Sequence, residues 1–203
     1  MRENPQWIIF GAGGHGKVIL DILQELDGSR EVILLDDNPR PPVQKPPLVL
    51  PELPVFHGVG DLQVRRELQT QRYPTANWAL VVANTAHVAR PAWIYLGAQI
   101  LNYAYVGPDT IIHDGCIINN HASVDHDCDV GAFCHIAPGA VLCGNVLVGK
   151  NTLIGAGSVV IPGVHIGVNC VIAAGSKVLH DIPSNSVLTA TGDMRPRQSK
   201  ERA

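Results

Sequence analysis

Charge is what this sequence has least of. Asp, Glu, Lys and Arg make up 16% of its 203 residues, against about 25% in an ordinary globular chain, so some long stretch must be built with few solvated side chains. Nor is there an excess of either sign. Fifteen basic and 18 acidic residues leave a net charge of -3, which supplies no basic field for a phosphate backbone and argues against a nucleic-acid partner. Long apolar runs are missing as well. None approaches the roughly 18 residues that span a bilayer, and Met1 to Trp7 has no basic stretch leading into an apolar core, so the expectation is a cytoplasmic chain without membrane insertion. Five cysteines, an odd number with no CxxC among them, argue against a disulfide framework and a zinc ribbon. Glycine (20) and proline (15) take the place of the missing charge.

What is present is a period of six. Val88, Ile94, Ile100, Val106, Ile112, Ile118, Val124, Val130 and Ile136 open a series that continues through Leu142, Val148, Ile154, Val160, Ile166, Ile172 and Val178 without exception. Four residues after each aliphatic position stands a small or compact one, such as Ala98, Thr110, Cys116, Cys134 or Ser158. Neither a helix (3.6) nor a flat strand (2.0) generates this spacing, whereas a parallel β-helix does, each hexad forming one side of a coil with both slots inward. Residues 88–177 then make five coils of 18. Cys116, Cys128, Cys134 and Cys170 fall on the compact slot and read as packing residues, while Cys143 lies off it. Hexads such as Val148-Gly149-Lys150-Asn151-Thr152-Leu153 resemble those of the hexapeptide-repeat acyltransferases. That resemblance, and not the period, implies a left-handed coil and a homotrimer.

Ahead of the repeat, Trp7-Ile8-Ile9-Phe10 reads as a strand. It runs into Gly11-Ala12-Gly13-Gly14-His15-Gly16-Lys17 and then into the helical pattern Val18, Ile19, Ile22, Leu23, Leu26. A G-x-G-x-x-G between strand and helix lets a phosphate lie against backbone N–H groups at the helix start. A second strand, Val32 to Leu35, ends at Asp36-Asp37, about 20 residues on, where an acid suits a ribose hydroxyl or base edge. Some 85 residues hold one βαβαβ half but not the two that a dinucleotide needs, so a mononucleotide such as a nucleotide-sugar fits and NAD does not. The seven prolines of 39–54 read as a surface loop, 61–71 as a helix, and 78–83 as a last strand leading into the coils.

Among nine histidines, His57, His113, His165 and His180 read as isolated. His126 differs: it stands in Val124-Asp125-His126-Asp127-Cys128, between two carboxylates, and is followed by His135. A carboxylate beside an imidazole raises its pKa and fixes its tautomer, which is what a general base near neutrality requires.

Taken together, Phe10-Gly-Ala-Gly-Gly-His-Gly-Lys17, Leu35-Asp-Asp-Asn38, Ile117-Ile-Asn-Asn120, Asp125-His-Asp127, Phe133-Cys-His-Ile-Ala-Pro-Gly-Ala140 and Cys143-Gly-Asn-Val146 resemble the NeuD, PglD and PerB group of sugar acyltransferases. The resemblance implies an α/β Rossmann-like half domain (1–84) binding a nucleotide-sugar, an all-β left-handed parallel β-helix (85–182) and a C-terminal tail (183–203). It implies an N-acetyltransferase that moves the acetyl group of acetyl-CoA to a nucleotide-linked amino sugar for a bacterial surface glycan, without a metal. By the same resemblance His126 is the base and Asp127 its polarising partner. His135 and the Gly144 N–H meet the acetyl-thioester, and Ala156, Ala174 and Gly175 line the coenzyme groove. Gly13, Gly14, His15, Asp36 and Asp37 hold the nucleotide-sugar, with Asn119 near the sugar. The group's Gly-x-Pro-Ala close is replaced here by Thr191-Gly192-Asp193-Met194-Arg195-Pro196, so the group's coenzyme contacts there do not carry over, and Arg195, Arg197, Lys200 and Arg202 are the candidates to meet the coenzyme phosphates instead.

Three alternatives remain open. A sugar O-acetyltransferase, of sialic acid type, would use the same base. A γ-type carbonic anhydrase would use His121 and His126 at its H-x4-H spacing, but Thr85 stands where the resemblance places its third ligand. A non-catalytic nucleotide-sugar scaffold would have no use for the His126 and Asp127 pair.

Overall fold

The computed structural model describes residues 6–198. Its N-terminal unit is a three-stranded parallel sheet with the apolar strand β1 (Gln6–Phe10) between β2 (Glu31–Leu35) and β3 (Val55–His57). Helix α1 (Gly14–Asp27) follows β1 and buries Gly16, Ile19, Ile22 and Leu23, the stripe its 3.6-residue pattern dictates. Two glycines set the strand-to-helix turn. Gly11 adopts φ +105°, and a Cβ on Gly16 would collide with the Gly11 carbonyl, so the helix packs this close only without side chains there. Helix α2 (Leu62–Glu67) starts where Asp61 Oδ1 accepts the N–H groups of Gln63 and Val64, and it runs on into a single π turn, Leu68–Arg72.

From residue 81 the chain winds into a three-sided parallel β-helix of about six turns. Face I runs from the strand Val81–Val82 to Ser186–Leu188, face II from His87–Val88 to Lys177–Val178, and face III from Trp93–Ile94 to His165–Ile166. Each strand is two or three residues long and, up to the last turn, pairs in parallel with the strand 18 residues away, as in Ile117↔His135 and Ser123↔Val141. The aliphatic and compact slots form one continuous core, with Ile100, Ile112, Ile118, Val124, Ile136 and Cys134 fully enclosed. Cys116, Cys128, Cys134 and Cys170 are buried free thiols.

The helix is a turn longer than the unbroken repeat predicts. The stretch 78–83 does not form one last strand of the N-terminal unit. Trp78 bridges to Val55, whereas Val81–Val82 pairs with Gln99 and Ile100 as the first strand of face I. Val82 and Ala86 extend the two slots backward by one step. At the other end the coil shortens. Val171 pairs with Val187, sixteen residues on, so Leu188 completes the ladder although the count of six has lapsed. Part of the expected tail is therefore coil, and Met194–Pro196 folds back antiparallel on Ser186–Leu188.

Face I is the docking face. Leu101 and Ile117 pack outward into one cluster with Ile9, Ile19, Ile22, Leu23 and Phe56 of the N-terminal unit.

Candidate functional site

His126 stands on the corner between faces II and III, held from the coils on both sides. Thr110 Oγ1, one coil earlier, donates to the Asp125 carbonyl at 2.6 Å and accepts the Cys128 N–H at 3.2 Å, which clamps the corner at both ends. A Cβ on Gly107 would lie 2.7 Å from the Asp125 carbonyl carbon and the His126 nitrogen. One coil later, a Cβ on Gly144 would lie 2.5 Å from Cε1 and Nε2 of the His126 ring. Two glycines, one on the coil before and one on the coil after, thus leave room for the backbone and the imidazole of the histidine. Asp127 turns the corner in the left-handed conformation, φ 57°, and its Oδ2 lies 2.6 Å from His126 Nδ1.

That contact assigns the protons. A carboxylate only accepts, so Nδ1 carries hydrogen and Nε2 keeps its lone pair. The Asp127 bond raises the His126 pKa above its usual 6.5, with the charges of Asp125 and Asp127 adding to the effect. Both side chains are about half exposed, at 50% and 52%. The corner therefore presents a strengthened base to solvent.

The other expected residues lie elsewhere on the prism. His135 is on face I, where Asn119 Oδ1 accepts the Asn120 N–H at 2.8 Å, which turns the Asn119 amide nitrogen toward His135 Nε2 at 3.0 Å. His135 is therefore the Nδ1–H tautomer. Burial pushes its pKa down to about 3, helped by Arg65 and His15, and keeps it uncharged. Ala156 and Ala174 are exposed one above the other on the corner between faces I and II, and the Gly175 N–H donates to the Ala156 carbonyl at 2.8 Å. Within one chain, Gly144 shares the corner of His126, whereas the expected groove residues Ala156, Ala174 and Gly175 occupy a different one. His121 is separate too: it stacks on Tyr103 at 5.0 Å, on the corner between faces I and II. Among the described residues no group of three or more His, Cys, Asp or Glu is arranged to hold a metal.

In the N-terminal unit, Gly13 and Gly14 are exposed, and a Cβ on either would meet nothing within 4 Å. Their side of the loop is open. Asp36 is already engaged: Oδ2 accepts the Ala12 N–H at 2.8 Å and Oδ1 the Asn38 N–H at 2.9 Å, so it braces the glycine loop. Asp37 takes both Arg72 guanidinium nitrogens at 2.8 Å, and this pairing holds its carboxyl below the usual range. His15 turns into the seam with the β-helix, its Nε2 2.7 Å from Gln99 Oε1. Arg195 and Arg197 line a groove of about 780 Å³ floored by Leu153, Val171 and Val187, beside the start of α2. Lys200 and Arg202 lie outside the described residues.

Sequence reasoning missed the seam itself. Arg65, fully buried, donates Nε to Gly115 O at 3.0 Å, Nη1 to Gly60 O at 2.6 Å and Nη2 to Cys134 O at 3.3 Å, bonding both halves at once. His57 is fully buried, stacked on Trp78 at 4.0 Å and bonded through Nε2 to Gln69 Oε1 at 2.9 Å. Nothing in an Arg-Arg-Glu helical stretch marks one arginine as buried.

Residues 6–71 match the PglD N-terminal domain and residues 145–179 the hexapeptide repeat of succinyl-transferase. No curated protein matches the chain by sequence. Among solved structures, the acetyltransferase domain of PglB from Neisseria gonorrhoeae is 29% identical with a TM-score of 0.86, over 95% of this chain and 100% of its own. That domain is also solved in complex with acetyl coenzyme A. PerB from Caulobacter crescentus, in complex with CoA and GDP-perosamine, is 29% identical with a TM-score of 0.83, over 94% of this chain and 97% of its own. With a stretch that matches the PglD N-terminal domain docked on face I of a hexapeptide-repeat coil, the chain is similar over nearly its whole length to the PglB acetyltransferase domain and to PerB.

Proposed function

We propose that the chain is an acetyl-CoA-dependent N-acetyltransferase acting on a nucleotide-linked amino sugar, with His126 as its general base. The observation that carries the reading is the His126–Asp127 pair, with Nε2 free, on a corner kept clear by Gly107 and Gly144. Support for the substrates comes from the relatives that bind acetyl coenzyme A and GDP-perosamine, and from the open glycine loop of the PglD-type domain.

A sugar ammonium must lose a proton before it attacks. That first proton goes to solvent; as the lone pair of the neutral amine bonds to the thioester carbonyl carbon, His126 Nε2 takes a second proton from the nitrogen, and the carbonyl oxygen becomes an oxyanion. The Gly144 N–H is the assigned donor to that oxygen, and one such donor contributes on the order of 3 kcal/mol. Collapse of the tetrahedral intermediate breaks the C–S bond, and the imidazolium returns its proton to the departing thiolate. A positioned base of this kind is worth about 10² to 10⁴ in rate. The products are an amide and free CoA, with no covalent enzyme intermediate.

In this reading the protein is a cytoplasmic homotrimer. The separation of His126 from Ala156, Ala174 and Gly175 is the reason: a neighbouring copy has to bring a coenzyme corner to the base. Uncharged side chains stand exposed on the outer faces, among them Trp93, Tyr105, Leu147 and Val159, and closed cyclic symmetry covers such surfaces without leaving a sticky face.

The deciding experiment follows thiol release from acetyl-CoA with GDP-perosamine and a panel of other nucleotide-linked amino sugars. The expected result is turnover that falls about 10² to 10⁴-fold in a folded His126→Ala variant. Turnover with hydroxyl sugars alone, or undiminished turnover in the variant, overturns the assignment. Light scattering reports the trimer, and mixing His126→Ala with Ala156→Trp chains restores activity if each site draws on two copies.

A further inference from the structure

We propose that Gln99 is a positioning residue that fixes His15 as the Nε2–H tautomer, so that His15 Nδ1 accepts a hydrogen bond from a hydroxyl or ammonium group of the sugar. The ligand half of this inference rests on the function proposed above; the tautomer half does not.

The argument starts from the Gln99 amide. Gln99 is 1% exposed on face I and makes two bonds of opposite sense. Its Nε2 donates to the His57 backbone carbonyl, and its Oε1 lies 2.7 Å from His15 Nε2. The first bond cannot be reversed, because a carbonyl only accepts and a flipped amide would set two oxygens against each other. Oε1 therefore faces His15, and His15 Nε2 must donate. A neutral imidazole that donates through Nε2 accepts through Nδ1.

Neutrality has a structural basis as well. The titratable groups around His15 are Arg65 from α2, His57 from β3 and His135 from face I. Burial and the Arg65 charge lower the His15 pKa, while the Gln99 bond pulls it the other way. His57, with a pKa of about 3, and His135, at about 3, add no positive charge near neutral pH. Arg65 is held in place by carbonyls of both halves, and no carboxylate is bonded to it among the described residues.

His57 is enclosed, whereas His15 is only partly buried at the second residue of α1, beside the open Gly13 and Gly14. Among the described residues its Nδ1 has no partner. A phosphate oxygen, itself an acceptor, gains nothing from that atom and is served instead by the backbone N–H groups at the helix start. Nδ1 pairs only with a donor. On the seam between the glycine loop and face I, that donor belongs to the sugar rather than the diphosphate.

The test uses full-length protein with ¹⁵N-labelled histidine, its long-range ¹H–¹⁵N imidazole spectrum recorded from pH 5.5 to 8 and the His15 signals assigned with a His15→Asn variant. The expected spectrum shows His15 neutral, with the proton on Nε2. A Gln99→Leu variant is expected to release it into mixed tautomers. Calorimetry then compares GDP-perosamine with GDP alone. Gln99→Leu is expected to weaken GDP-perosamine about tenfold, the worth of one hydrogen bond, and to leave GDP unchanged. A wild-type His15 protonated on Nδ1 overturns the proposal even if the variant fails to fold. Equal weakening of both ligands overturns it too, since the donor is then on the nucleotide. Wild-type protein that binds neither ligand defeats the ligand half together with the functional reading, while the spectrum still decides the role of Gln99.

Discussion

Gly144→Ala is the substitution that the geometry of the base prices most directly. An added Cβ would lie 2.5 Å from Cε1 and Nε2 of His126 and 3.1 Å from Nδ1, where ordinary contacts begin near 3.4 Å. The backbone cannot yield readily. Cys143 N–H is bonded to Val160 O and Asn145 N–H to His126 O, one on each side of residue 144. The exposed imidazole must move instead, by about 1 Å, and a displacement of that size at a reacting group costs on the order of 10² in rate. Gly144 lies outside the left-handed region, so alanine adds no backbone strain, and Tm is expected to stay within a few degrees of wild type. Steady-state thiol release measures kcat in wild type, Gly144→Ala, His126→Ala and the double variant. If the glycine acts by seating the histidine, its loss adds almost nothing once His126 is gone, because the two residues form one unit. The backbone N–H survives in alanine, which separates this effect from loss of the oxyanion donor. A fully active Gly144→Ala enzyme, or fully additive losses in the double variant, would refute the reasoning.

The other perturbations act on different parts of the molecule. Asp127→Asn removes the carboxylate that raises the His126 pKa; since the unprotonated ring is the active form, the acid limb of kcat/KM lies above pH 6.5 in wild type and moves to lower pH in the variant. The limiting rate falls at the same time, by roughly tenfold or more, because the base is weaker, and a pH-rate profile shows both changes. Gly13→Ala keeps the fold, as its Cβ meets no protein atom, but raises KM for the nucleotide-sugar and leaves that for acetyl-CoA unchanged; Gly16→Ala, blocked by the Gly11 carbonyl, instead lowers stability, as circular dichroism melts would reveal. Arg65→Met leaves the carbonyls of Gly60, Gly115 and Cys134 without their donor, with an expected loss on the order of 3 kcal/mol in urea unfolding.

What could be read ahead of the structure follows the range over which each feature is specified. The coil is legible because a stacked ladder repeats the same packing demand every six residues, so Val88 to Val178 announce it without a partner in view. It ceased to be legible where the demand changed. The last turn takes sixteen residues from Val171 to Val187, and the hydrophobic slot passes to Leu188 out of step. His126 and Asp127 were visible together because the left-handed corner lets neighbours in sequence share a bond. Gly144 was legible only through the resemblance carried by Cys143-Gly-Asn-Val146, and its steric purpose needed the ring position. The glycine loop divided in the same way. Gly11 and Gly16 serve the strand-to-helix turn, while Gly13 and Gly14 face open space, a distinction that the G-x-G-x-x-G pattern does not contain. Least legible was the seam. Arg65 reaches Gly115 and Cys134, and Gln99 reaches His15 and His57, all across separations that only the docking of the N-terminal unit on face I creates. Each of these polar groups occupies a position where a solvated side chain would fit the local pattern equally well. The docking converts them from surface residues into a buried network in which every amide and imidazole has a defined sense, and that sense determines which edge of His15 and of His135 is left to meet a ligand.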